Sequence, residues 1–173
     1  IEIVFVSDGS SDKGLEIARR FSRDNILCLE LTERRGKAAA VNLGVAAASG
    51  EIIVLTDARQ LFAMGALAEL IANFADPEVG AVSGALDLEM NPDAVGKSFS
   101  SYWDLEKWIR KSESRIHSVM GLTGAVCAIR KELYEPMPEG TILDDVMISM
   151  RIALKGRRVV FDETAVACDD API

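Results

Sequence analysis

The chain has 173 residues, 49% of them apolar and 27% charged, and a formal net charge of −8. That size and balance suit one globular domain with a sizeable core, and the negative charge argues against broad binding to nucleic acid polymers or anionic membranes. Cys28, Cys127 and Cys168 are too widely spaced for a CxxC metal site and odd in number for a disulfide framework, which points to a reducing, cytoplasmic compartment.

In chain order, Ile1–Val6 reads as a β-rich run that ends in "SDGSSD", the chemistry of a turn and a helix cap. Leu15, Ala18 and Phe21 share a helical face, and Ile26–Leu31 is a short strand. "RGKAAAVNLGVAAASG" (35–50) is an Ala-rich helix that starts near Gly36 and ends by Gly50. Ile52–Leu55 is a strand. Leu67, Leu70, Ile71 and Phe74 give an amphipathic helix that stops before Pro77. Val79–Leu88 is a strand containing Gly80 and Gly84. A long helix from Phe99 to about Ile116 carries Tyr102, Trp103 and Trp108, and a strand is predicted over 124–130. Asp145–Lys155 is a helix closed by Gly156. Arg158–Phe161 is a strand, with a further one at Thr164–Cys168. No apolar run approaches the roughly 20 residues of a membrane span, and no stretch has the pattern of a secretory leader. Strands alternating with helices imply an α/β fold with a mostly parallel, doubly wound sheet, whose ligands bind at the carboxyl ends of strands.

Asp8 and Asp57 both fall at such strand ends. Asp8 either builds the Gly turn or serves a ligand, whereas Asp12 reads as turn and cap. Lys37 lies in the first turn of a helix, where anions gather, and reads equally well as a surface lysine. Asp57 has the stronger case, because a carboxylate that ends a buried run is costly unless paired, solvated or metal-bound. Two residues on, where a metal site favours a second acid, stands Arg59. Asp144 and Asp145 open an apolar helix. One acid suffices to cap it or to meet its dipole, so the second is a candidate catalytic base. His117 stands outside any nucleophile pattern and reads as structural, and "KGRR" (155–158) as a solvated loop.

Together, "VSDGSSD", "RGKAAAVNLG", "LTDA", "GLTGAVCAIRKEL" and "LDDVMISMRIALKGRRVVF" resemble, in order and spacing, the motifs of family 2 glycosyltransferases, inverting enzymes of GT-A fold that use nucleotide sugars. The resemblance implies one catalytic domain over 1–173, partial at both ends. Asp8 matches the acid beside the nucleotide base, commonly uracil, and Lys37 a position packed near the nucleotide. Asp57 matches the first acid of a DxD motif, which serves ribose and metal-bound diphosphate. Gly124 and Ala125 match small residues lining the donor-sugar and acceptor site. Asp145 matches the general base, with Asp144 as its neighbour, and Glu106 lines the acceptor side. The resemblance further implies Mg²⁺ or Mn²⁺ at Asp57, a UDP-sugar donor, a saccharide or lipid-linked acceptor and, for the longer protein, a place at the cytoplasmic face of a membrane.

Arg59 departs from the DxD pattern and could instead place positive charge on a phosphate. The family's first strand would precede Ile1, and its QxxRW motif would follow Ile173. Without that strand two rows of backbone groups lose their partners, so a gapped sheet, a rearranged one or a homo-oligomer filling the gap is expected. Two rival readings are a catalytically degenerate binding module and a phospho-acceptor signalling domain. The second lacks a late Lys-Pro signal and leaves "LDDVMISMR" without a role.

Overall fold

The computed structural model describes residues 1–21, 25–88 and 94–169. β1 (Ile3–Asp8) and β2 (Ile26–Leu31) pair in parallel around α1 (Gly14–Arg20). After α2 (Lys37–Ala47) come β3 (Ile52–Leu55), β4 (Leu61–Phe62), α3 (Ala66–Ala72), β5 (Val79–Leu88), α4 (Ala94–Ile116), β6 (Cys127–Arg130), α5 (Asp144–Leu154) and β7 (Arg158–Asp169). The later strands form a five-stranded sheet in the order β3-β6-β5-β7-β4.

The α/β class is as expected, but the pairing is less parallel than expected. β1–β2 and β5–β7 are parallel, whereas β3–β6, β5–β6 and β4–β7 are antiparallel. The cause of the antiparallel course of β6 lies between α4 and β6. There the Val119 amide donates to the Val159 carbonyl at the start of β7 (2.8 Å). The chain then advances to a turn closed by the Val126 amide on the Thr123 carbonyl (2.9 Å). β6 therefore enters beside Leu55, at the end of β3, and runs backward. Helix–strand alternation does not reveal such an irregular reversal.

That turn also delays the strand expected at 124–130 until Cys127. The two strands expected near the end merge into β7, with a register shift between Ser83 and Ala85 of its partner. In the extra residues, Asp162 accepts the Thr164 amide (2.9 Å) and the Asn73 side-chain amide (2.7 Å). Burial pushes the Asp162 carboxyl up, but the Thr164 hydroxyl (2.5 Å) and then these amides hold it below its ordinary value. The helix expected from Phe99 begins at Ala94, and the side chains of Tyr102 and Trp103 lie outside the described residues.

Strand alternation divides the core between the two faces of the sheet. Cys127, Ile129 and Val159 meet Ile148 and Ile152 of α5 on one face. Val126, Ala128 and Val160 meet Leu70 of α3 on the other. Gly84 sits where the layers close, and a Cβ there would lie 2.5 Å from the Ala165 carbonyl oxygen. α5 ends as its Gly156 foretells: φ is +74° and the Gly156 amide donates to the Ala153 carbonyl (2.9 Å).

Among the described residues β1 pairs only with β2, and β3 only with β6. Between their free edges opens a cleft of about 930 Å³, lined by Val4 and Val6 of β1, Val41 and Val45 of α2, and Ile53 and Leu55 of β3. The sheet is thus gapped, one of the outcomes expected from the resemblance.

Candidate functional site

The carboxyl end of β3, the first turns of α2 and α5, the turn before β6 and one face of α4 converge on a second cleft, of about 330 Å³. Lys37, Asp57, Glu106, Gly124, Ala125 and Asp145 all line it. Of the residues singled out from sequence, this cleft gathers six.

Lys37 is the link between motifs. Its Nζ lies 3.4 Å from Oδ1 of Asp57 and 3.6 Å from Oδ2 of Asp144. Burial pulls the Lys37 ammonium down, but Asp57 and then Asp144 outweigh it and hold it above the ordinary lysine value. It is therefore a lysine held charged between two carboxylates at the cleft rather than a free surface lysine. Gly124 makes room for it, since a Cβ on Gly124 would stand 3.2 Å from Lys37 Nζ and 3.9 Å from Asp145 Cβ.

The two adjacent acids take different directions, as residues about 100° apart on a helix must. Asp144, whose side chain is 14% exposed, turns to Lys37, and Asp145 lines the cleft. Asp145 Oδ1 accepts the Val146 amide (2.8 Å). The cap position of α5 is Leu143, with no side-chain hydrogen bond, so the expectation that one acid caps the helix gives way to an ion pair.

Asp8 stands at the end of β1, where Oδ1 accepts the Arg35 amide (2.8 Å) and Oδ2 the Gly36 amide (3.0 Å). It fixes the loop that delivers Lys37, and lines neither cleft. Arg59 is exposed in the turn after Asp57 and also lines neither. Asn42 is structural: Oδ1 accepts the Tyr134 hydroxyl (2.6 Å) and the Met137 amide (2.8 Å), tying α2 to the segment before α5. His117 meets Ser118 Oγ (2.8 Å) just beyond α4, as a structural histidine. Cys127 is buried beneath the cleft, and burial pushes its thiol up to about 12, so it supplies no thiolate at neutral pH.

Three residues escaped the sequence reading: Ser83, Arg110 and Thr123. Arg110 Nε donates to Glu106 Oε1 (2.5 Å), and Arg110 Nη1 donates to Thr123 Oγ1 (2.8 Å) and Ser83 Oγ (3.2 Å). The only sequence signal was the Glu106–Arg110 spacing, which suits a helical ion pair.

No group of three or more His, Cys, Asp or Glu able to hold a metal occurs among the described residues. Asp57 is 38% exposed and ion-paired with Lys37. It suits a divalent cation of the kind held by one or two carboxylates, with phosphates and waters supplying the remaining ligands.

A sequence profile for glycosyl transferase family 2 matches residues 1–137. Over 170 residues, 95% of this chain, the sequence is 28% identical to the poly-beta-1,6-N-acetyl-D-glucosamine synthase of Staphylococcus aureus (strain COL) and 26% identical to that of Staphylococcus epidermidis. The chain spans 41% of the length of each of these relatives. Among solved structures it superposes on the mannosyltransferase PcManGT of Pyrobaculum calidifontis, in complex with GDP-Man and Mn²⁺, with a TM-score of 0.83 and 30% identity. That match covers 99% of this chain and 48% of the other. GalNAc-T7 with UDP, GalNAc and Mn²⁺ shares the fold, with a TM-score of 0.72 at 16% identity over 99% of this chain and 38% of that one.

Proposed function

Because the chain belongs to glycosyltransferase family 2, we propose that residues 1–173 are catalytic-domain sequence of an inverting enzyme that moves a sugar from a UDP-sugar to a saccharide or lipid-linked acceptor. The observation that carries this reading is the convergence of Lys37, Asp57, Gly124 and Asp145, from four separate motifs, on one polar cleft. Inverting transfer is a single displacement at the anomeric carbon. The acceptor hydroxyl loses its proton as its oxygen bonds to that carbon, and the nucleoside diphosphate leaves. Asp145, facing the cleft, accepts the proton as general base. Lys37 places positive charge toward the diphosphate. Asp57 is the residue that would hold Mg²⁺ or Mn²⁺, which when bound neutralises charge on the departing diphosphate. Gly124 and Ala125 keep the sugar side of the cleft open. Asp8 shapes the nucleotide end through the Arg35–Gly36 backbone, and Arg59 lies within the same reading as a flanking charge for phosphate. Glu106, with one oxygen engaged by Arg110, borders the acceptor side.

The reading puts the domain in a reducing, cytoplasmic setting, which its three unpaired thiols suit. Calorimetry on the full-length protein tests the donor. UDP should bind, more tightly with Mn²⁺ or Mg²⁺ than without, and more tightly than GDP. Equal affinity for every nucleotide with no metal effect would overturn the assignment of Asp8 and Asp57. A binding module without catalysis is the second reading, favoured by Arg59 standing where a second acid would. Nucleotide binding without sugar transfer by the full-length protein would select it.

A further inference from the structure

We propose that Arg110 is a positioning residue, pinning the Ser83–Thr123 pair so that Gly124 and Ala125 hold the cleft wall against which Lys37 and Asp145 are set. The inference rests on the glycosyl-transfer reading. Ser83 is fully buried on β5, and Thr123 opens the turn that reverses the chain into β6. The Thr123 amide donates to Ser83 Oγ (2.8 Å), and the Ser83 hydroxyl lies 3.1 Å from Thr123 Oγ1. Those two bonds join the turn to the sheet but leave both oxygens with acceptor capacity in a half-buried place, where unmet capacity is costly. Arg110 supplies it from α4 with one nitrogen, while its Nε is held by Glu106 on the same helix, one turn earlier. A guanidinium is suited to this because its planar fork fixes several acceptors at once, which a lysine ammonium does not.

The next two residues after Thr123 are Gly124 and Ala125, and a Cβ on Gly124 would meet both Lys37 and Asp145. A turn that drifts would carry the cleft wall away from the base and from the cation between Asp57 and Asp144. Arg110 therefore acts through Thr123 on the geometry of the reaction, and Glu106 acts through Arg110. This gives the 106–110 face of α4 a second duty beside bordering the cleft.

The test is a double-mutant cycle in the full-length protein with Arg110→Met and Thr123→Val, following kcat, the donor KM and UDP affinity. Each single variant should lower kcat roughly 10- to 100-fold, the scale of a small misplacement of reacting groups. UDP affinity should stay within about threefold, and the double variant should lose little beyond the worse single one. Arg110→Lys should not restore kcat. Full additivity would overturn the proposal, as would a lowered Tm with kcat unchanged, which would make Arg110 a mere prop. Absence of transfer by the unsubstituted protein would instead overturn the glycosyl-transfer reading, and this inference with it.

Discussion

The two clefts of this molecule differ in nearly everything but their shared border. The larger, about 930 Å³, is walled by Val, Ile and Leu side chains and by the free edges of β1 and β3. The smaller, about 330 Å³, gathers three acids and three bases from four segments of the chain. Lys37 and Asp57 line both. The larger volume lies where strand edges and apolar surface are free, while the opposed charges converge on the smaller one.

The comparison is broken most forcefully at Asp145. Asp145→Asn in the full-length protein should lower kcat at least roughly 10²-fold, the lower range for loss of a general base. UDP affinity should change little, since such a residue acts in the transition state. Asp144→Asn should cost less, because Asp144 faces Lys37 rather than the cleft. If the two effects are reversed, the two acids exchange roles.

The larger cleft is addressed by a smaller effect. Free strand edges pair with other chains, so residues 1–173 alone should self-associate in sedimentation experiments. Ile3→Lys, at the exposed start of β1, should weaken that association about tenfold. A monomer at all concentrations would mean that the cleft is closed in solution.

The smallest effect lies at the shared border. The Lys37 ammonium is raised above its ordinary value in the folded chain. The stability it contributes is therefore complete below the unfolded lysine value near 10.4 and is lost as pH rises through the higher folded value. Lys37→Met should lower stability at pH 7 by no more than about 1 kcal/mol, given the partial exposure of the pairs. Chemical denaturation should show that difference shrinking above about pH 10.5. A difference that grows with pH would refute the ion-pair account.

Asp57 and Asp145 were legible in the sequence because each ends or begins an apolar element, where a carboxylate stands out against its neighbours. The strands and helices were legible for the same reason, through local periodicity. What could not be read was non-local. Arg110 meets Ser83 across 27 residues and Thr123 across 13, and no pattern in α4 announces either contact. The reversed course of β6 is likewise set by an irregular turn at 123–126. Two-residue β4 is too short for any period to show.

The split between the sheets bears on how the molecule breathes. Among the described residues β1 and β2 share their ladder only with each other, and β1 otherwise touches mainly α1 and α2. β5 is flanked on both sides, by β6 and β7. Amides of the small sheet should therefore form a separate opening unit and exchange with solvent faster than those of the larger sheet. Asp8, at the end of β1, grips the loop ahead of Lys37. Each opening of the small sheet thus loosens that loop, and a ligand in the charged cleft that stiffens it should slow hydrogen exchange in strands that the ligand never touches.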